Sequence, residues 1–205
     1  MKNRYTITAA LLLCLVLALF AFSCKKDENE HTGEAMDMSA VSSQELEGYA
    51  TLGGYTRLRV TVGTGSKGEA VWRAVKENAK IIAHPEQQVA YYISQIEAQY
   101  KYYAEQADMS YEDMLSEVGA TEESIRAEAE SMAADDVIYE LVRRDANITL
   151  NESEKQSLFG KYVQKYVSDY GYTEQYVKEN MAEIIYESML YDKTTEYLIK
   201  NNDFQ

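Results

Sequence analysis

The sequence predicts a mainly α-helical protein with one short strand before the helices. From Glu69 onward, apolar residues recur at spacings of three and four, which is the period of a helix with one buried face. Ser, Thr and Asn caps recur along this stretch, two of them with an acidic residue three positions later. The only proline, Pro85, stands where a helix can begin. Together these observations predict an antiparallel array of helices.

The predicted strand precedes the helical part of the chain. Leu58, Val60 and Val62 alternate with polar residues, a pattern typical of a strand with one buried face. From Glu69 onward no further strand is predicted, and no repeat of fixed period is evident. The predicted helices with clear start signals cover residues 85–107, 110–119, 151–171 and 173–198, and a further long helix begins at Thr121.

The N-terminus has the pattern of an export signal. Lys2 and Arg4 precede an apolar run over residues 9–22, which is 14 residues long and shorter than the roughly 20 that span a bilayer. Residues 21–24, Ala-Phe-Ser-Cys, resemble the bacterial lipobox. The resemblance implies that residues 1–23 are removed and that Cys24 is lipidated, which would place the protein on the extracytoplasmic face of the cell membrane.

An alternative for the N-terminus is cleavage nearby by an ordinary signal peptidase, which would leave Cys24 as an unpaired thiol. Ala21 and Phe22 depart from the commonest lipobox residues. Cys14 lies inside the predicted signal, so the mature chain keeps one cysteine and forms no intramolecular disulfide. Residues 24–47 are polar and acidic and are predicted to form a flexible tether, followed by a helical domain over residues 48–205.

The net charge of −14 limits the partners of this chain. Binding to nucleic acid depends on Lys and Arg that neutralise phosphates, and anionic lipid requires the same chemistry, so neither is an expected partner. The membrane link is therefore expected to be the covalent lipid. The alternative reading of the charge is that it simply keeps an exported protein dispersed.

Residues Gly63, Gly65 and Gly68 form the pattern G-x-G-x-x-G between the predicted strand and a helix. The surrounding pattern does not fit dinucleotide binding, because no second strand follows the helix and no acidic residue ends such a strand. Lys67 is followed by Gly, so the stretch is not a Walker loop either. We expect a flexible connection here and no nucleotide or other cofactor.

No catalytic or metal-binding set is predicted. The two histidines, His31 and His84, offer little for a metal site or a catalytic triad. The abundant acidic residues are expected to form solvated helix faces. We therefore expect no enzymatic activity.

The helical part resembles the C-terminal chaperone domain of trigger factor, as carried by trigger-factor-like lipoproteins, and more distantly the SurA class. The resemblance covers residues 49–200 and depends on the order of its segments, which are 49–60, 71–75, 81–89, 109–115, 121–125, 147–154 and 177–198. Members that isomerise prolyl bonds carry an FKBP-type domain of about ninety residues after the strand. Here the short Gly63–Gly68 stretch stands in its place, so no prolyl isomerase activity is expected.

The resemblance implies a membrane-anchored holdase that binds unfolded, newly exported polypeptides without ATP. Its contacts would come from tyrosine and methionine, and the chain has 18 tyrosines against four phenylalanines. The candidate contact residues are Tyr92, Tyr100, Tyr103, Tyr162, Tyr166 and Tyr170. The same positions are equally compatible with a helix–helix core. The alternative function is a structural or scaffolding lipoprotein that binds one dedicated protein partner.

Overall fold

The computed structural model describes residues 34–205. The predicted signal 1–23, the lipidation site Cys24 and His31 lie outside the described residues. Within them the chain forms eight helices and four strands of two residues, so the predicted mainly α fold is confirmed. The helices are α1 (Ser43–Tyr49), α2 (Lys67–Asn78), α3 (Glu86–Gln106), α4 (Tyr111–Val118), α5 (Glu122–Asp145), α6 (Glu152–Tyr170), α7 (Glu174–Asn180) and α8 (Ala182–Lys200).

The described chain forms two compact units. The first contains residues 34–37 and 84–135, and the second contains residues 38–83 and 136–205, so the boundary falls within α5. None of the helices over residues 34–205 is long and apolar enough to cross a membrane.

The core of the first unit lies among α3, α4 and the first half of α5. Its buried members are Val89, Ile96, Tyr100, Ala104, Met114, Ile125, Ala129 and Ala133. Their spacing places one apolar face of each helix inward, which is the pattern that the sequence shows. Arg126 on α5 pairs with Glu86 on α3 at 2.9 Å, and the backbone N–H of Met36 donates to the Gln88 side chain at 2.8 Å.

The core of the second unit lies largely among α2, α6, α7 and α8. Helices α6 and α8 are neighbours, and α2 packs on α8. Val71, Val75, Val163, Ile185 and Leu198 are among the side chains with almost no exposure. Burial of each such side chain stabilises the fold by about 1.5–3 kcal/mol relative to exposure.

The predicted single strand is replaced by two short pairs of strands, all in the second unit. Strand β2 (Arg59–Val60) lies within the predicted segment and pairs in parallel with β4 (Asp203–Phe204). Strand β1 (Ala50–Thr51) pairs antiparallel with β3 (Lys80–Ile81). Strands of two residues are too short to show a period, so the sequence pattern missed three of them.

Capping bonds confirm the predicted helix starts at Ser110, Thr121, Asn151 and Thr173, and α3 begins directly after Pro85 without a side-chain cap. The side chains of Ser110 and Asn151 each accept the backbone N–H three residues on, and Asn151 with Glu154 forms a complete capping box. Thr121 and Ser124 exchange the equivalent bonds at the start of α5. Gly119 and Gly171 end their helices at φ +72°, a left-handed conformation that glycine adopts without strain.

Two boundaries differ from the sequence prediction. The predicted helix over 173–198 is interrupted at Met181, which is completely buried and separates α7 from α8 with φ −121° and ψ 16°. The predicted tether 24–47 contains most of α1, which Ser42 caps and which buries Leu46 completely. One buried leucine in a polar stretch produces no visible period, so the composition alone indicated a tether.

Candidate functional site

The six tyrosines predicted as polypeptide contacts fall into three environments. Tyr100, Tyr162 and Tyr166 are buried, with 7–9% of each side chain exposed. Tyr92 and Tyr103 are half-buried and pack against the core of the first unit. Tyr170 is 41% exposed. The structure therefore places Tyr162 and Tyr166 in the interface between α6 and α8, which we call the seam. Tyr170 is the exposed member of the six.

The seam between α6 and α8 is held by tyrosine hydroxyls. Tyr162 donates to the Asp192 carboxylate at 2.6 Å, and the hydroxyls of Tyr166 and Ser188 lie 3.0 Å apart. The apolar ring of each tyrosine fills the seam while its polar tip finds a partner, which explains why tyrosine serves here better than phenylalanine.

Burial and the neighbouring carboxylate change the acidity of Tyr162. Burial raises the pKa of its phenol, and the hydrogen bond to Asp192 raises it further. Both causes disfavour the phenolate, because it would be poorly hydrated and would face a negative charge. Tyr162 thus stays a neutral donor at physiological pH.

An ion pair and an aromatic contact also join α6 and the segment before it to α8. Lys193 on α8 donates to Glu154 at 2.5 Å and to the carbonyl of Thr149 at 2.8 Å. Phe159 packs on Tyr186 with ring centroids 5.8 Å apart. The Lys193 contacts join the start of α6 to the middle of α8, and the ring contact joins the middle of α6 to the first turns of α8.

Aromatic rings cluster where α6 turns into α7. Tyr166 and Tyr170 have ring centroids 5.3 Å apart, and Tyr172 stacks on Tyr176 at 5.5 Å. Tyr170 exposes its ring beside the left-handed turn at Gly171. An exposed aromatic ring held by neighbouring rings can contact a polypeptide with little loss of side-chain entropy.

In the first unit, α3 carries two pairs of adjacent tyrosines. Tyr91 and Tyr92 have ring centroids 5.2 Å apart, and Tyr102 and Tyr103 have centroids 5.7 Å apart. The pairs are eleven residues apart, which is close to three helical turns, so they lie on the same side of α3. Tyr102 is 41% exposed. Met109, just after the helix, is 36% exposed.

An aromatic trio in the second unit was not predicted from the sequence. Trp72 on α2 stacks on Tyr191 on α8, with centroids 5.7 Å apart and planes inclined by 15°, and both rings lie near Tyr139 on α5. The Trp72 indole N–H donates to Thr195 at 2.8 Å, and Tyr191 remains 47% exposed. The lone tryptophan was the one available signal, but its partners lie far away in sequence.

We use the name exposed aromatic set for the three tyrosines Tyr102, Tyr170 and Tyr191, and we include with them the exposed methionine Met109. Tyr102 and Met109 belong to the first unit, and Tyr170 and Tyr191 to the second. Each is an apolar side chain with at least a third of its surface open to solvent. Within each unit, these side chains are the candidate polypeptide contacts among the described residues.

The glycine-rich stretch forms the start of α2. Ser66 caps the helix, and its backbone N–H donates to the Glu69 carboxylate at 2.5 Å. The bonds from Ser66 lower the pKa of Glu69, so a negative charge of the chain itself occupies the helix N-terminus. The predicted flexible connection is a capped helix start from Ser66 onward.

A buried carboxylate organises the end of α5. Glu140 is 3% exposed and accepts from Nε of Arg143 at 2.7 Å and from Nε of Arg144 at 2.6 Å. Arg144 also donates to the carbonyls of Met38 and Ser39. The pairing is structural, because it ties the segment before α1 to α5.

Among residues 34–205, no three His, Cys, Asp or Glu side chains are arranged to hold a metal ion. The chain was compared with protein-family models, curated proteins and solved structures, and none of them matches it.

Proposed function

We propose that the protein is a membrane-anchored holdase that binds unfolded, newly exported polypeptides on the extracytoplasmic face of the cell membrane. The proposal combines the lipobox-like sequence at Cys24 with the resemblance of the helical part to trigger-factor-like and SurA-like chaperone domains. Binding would be reversible and would need no nucleotide, because the client's own collapse would end it.

The exposed aromatic set is the observation that carries this proposal. Tyr102, Tyr170 and Tyr191 each leave 41–47% of the side chain open to solvent. Tyrosine offers a broad apolar face with a polar tip, and methionine adapts its shape, so such side chains suit contacts with many different sequences. Rings spread over both units would bind a flexible client at several weak points.

The first experiment measures the suppression of aggregation. Residues 25–205 are titrated against a chemically unfolded, unrelated protein, and light scattering is followed after dilution without ATP. We expect scattering to fall at near-stoichiometric ratios. Unchanged scattering at about tenfold excess would contradict a general holdase.

A scaffolding lipoprotein with one dedicated partner is the alternative. The seam contacts of Tyr162 and Tyr166 favour it, because tyrosines used in helix packing are unavailable for clients. Crosslinking in intact cells distinguishes the two functions. Many substoichiometric partners support the holdase, whereas one stoichiometric partner supports the scaffold.

A further inference from the structure

Three consecutive apolar residues lie exposed in the second unit, just after α2. Ile81 is 38% exposed and Ile82 is 54% exposed, and Ala83 is also open to solvent. We call these three residues the aliphatic run. Single exposed apolar residues are ordinary on a protein surface, whereas a consecutive run of them indicates a surface that meets a partner.

The backbone of the aliphatic run is held in place by the segment that follows α1. Strand β3 pairs with β1, with Ile81 opposite Ala50. The backbone N–H groups of Ile82 and Ala83 both donate to the carbonyl of Tyr49, at 2.8 and 3.2 Å. A partner would therefore meet an ordered segment, and little backbone entropy would be lost on contact.

Basic charge is concentrated in the segment that contains the run. Residues 50–83 contain six Lys and Arg side chains and two acidic ones, whereas the rest of the chain contains 14 basic and 32 acidic side chains. All six basic residues of the segment are exposed. Two of them are close to the run in sequence: Lys76 lies in the last turn of α2, and Lys80 directly precedes Ile81. The charge of the whole chain thus conceals a locally basic segment.

Exposed aliphatic residues beside lysines fit the surface of a phospholipid bilayer. Ammonium groups bind the phosphates of anionic headgroups, while aliphatic side chains enter the boundary between headgroups and acyl chains. Nucleic acid would use the lysines but would leave the isoleucines exposed. An unfolded polypeptide would use the isoleucines without needing the lysines. A bilayer uses both kinds of side chain.

We propose that this part of the second unit lies on an anionic membrane surface, with the aliphatic run at the headgroup boundary and Lys76 and Lys80 on phosphate groups. The proposal rests on the proposed membrane anchoring and is independent of client binding. A covalent lipid holds a chain at the membrane without fixing which face meets it, so a second contact would orient the folded part. The run is well placed for this role, because it pairs with β1, which directly follows the first helix after Cys24.

A fluorescent label at the run tests the contact directly. Residues 25–205 contain no cysteine, because the two cysteines are Cys14 and Cys24. Ile82→Cys therefore gives a single attachment point for an environment-sensitive dye. Vesicles of phosphatidylcholine with about a third phosphatidylglycerol should shift the emission to the blue, and about 500 mM salt should largely reverse the shift.

The control for the label is Lys161→Cys, at an exposed position of α6, which should show no shift with the same vesicles. An absent shift at position 82, or equal shifts at the two positions, would overturn the proposal. An equal shift at position 82 with phosphatidylcholine alone would overturn the role of the lysines.

Charge-matched variants test the lysines by flotation with the same vesicles. Lys76→Gln with Lys80→Gln should weaken binding about tenfold or more, at roughly fivefold for each lysine near the surface. The control is Lys161→Gln with Lys165→Gln, two exposed residues of α6, which should stay within about twofold. Equal weakening by both pairs would show a general charge effect and would overturn the site. Circular dichroism checks that the variants fold.

The isoleucines separate the membrane contact from client binding. Ile81→Ser with Ile82→Ser should weaken vesicle binding about tenfold and leave aggregation suppression unchanged. A variant that loses suppression but keeps vesicle binding would make the run a client contact and would overturn the proposal. If the unaltered chain binds vesicles but suppresses no aggregation, the membrane contact is supported and the holdase function is wrong.

Discussion

The hydroxyl of Tyr162 donates to the carboxylate of Asp192 at 2.6 Å, across the seam between α6 and α8. The two residues are 30 positions apart in sequence, and Tyr162 is 8% exposed. One turn further along α6, Tyr166 meets Ser188. Tyr162 and Tyr166, which were predicted from the sequence as possible client contacts, thus form hydrogen bonds that join α6 to α8.

The bond between Tyr162 and Asp192 should contribute measurably to stability. We expect Tyr162→Phe to lower the free energy of unfolding by about 1–2 kcal/mol, because it removes a buried hydrogen bond to a charged acceptor while it keeps the ring. Urea unfolding followed by circular dichroism measures the change. The control is Tyr170→Phe at an exposed position, which should change the free energy of unfolding by less than about 0.5 kcal/mol. An equal loss for both variants would contradict a stabilising role of the Tyr162–Asp192 bond.

The protein should lose stability in alkali. Burial is the largest cause that raises the pKa of Tyr55, Tyr139 and Tyr162 in the folded state. Above the ordinary phenol pKa of about 10, the unfolded chain releases these protons and the folded chain retains them, so the free energy of unfolding falls as pH rises. Urea unfolding between about pH 8 and 11 measures this slope, and Tyr162→Phe should make it shallower.

The carboxylate of Glu140 should be more important for stability than any exposed acid of the second unit. Glu140→Gln leaves two guanidinium groups without their shared negative partner, and we expect a loss of about 2–4 kcal/mol in the free energy of unfolding. Glu47→Gln removes an exposed carboxylate and should change stability by less than about 0.5 kcal/mol. Similar losses for the two variants would argue against the buried pairing.

The exposed tyrosines should contribute to the binding of clients, whereas the seam tyrosines should contribute to the stability of the fold. Tyr102→Ala with Tyr170→Ala should weaken aggregation suppression by about fivefold or more, because exposed aromatic anchors contribute most of such contacts. The same double variant should leave the thermal midpoint nearly unchanged. Tyr162→Phe is the matched control, since it should lower stability and leave suppression intact. A double variant with full suppression would remove the exposed aromatic set from the proposed function.

The predicted lipid anchor can be tested at Cys24. Metabolic labelling with a fatty acid in a bacterial host should mark the wild-type chain, and Cys24→Ala should abolish both the label and membrane retention. If the label persists in the variant, the lipobox interpretation of residues 21–24 is wrong. If neither chain is labelled, cleavage by an ordinary signal peptidase becomes the better explanation.

Helix boundaries were predictable because capping is a local interaction. Asn151 bonds to Glu154 within one turn, and Gly171 provides the left-handed residue that ends the same helix. The break at Met181 was missed, because it depends on burying that side chain against the other helices of its unit. The helix start at Ser66 was missed because the glycine pattern around it suggested a loop.

The helical class, most helix starts and stops, and the apolar face of each helix could be predicted, since all of these follow from contacts within about four residues. Which tyrosines are buried and which are exposed could not be predicted, because this depends on contacts between distant parts of the chain. Tyr162 meets Asp192 30 positions away, Trp72 meets Thr195 123 positions away, and Leu58 meets Asn202 144 positions away. Tyr170 follows Tyr162 and Tyr166 at the same spacing of four residues, yet 41% of its side chain stays exposed at the end of α6.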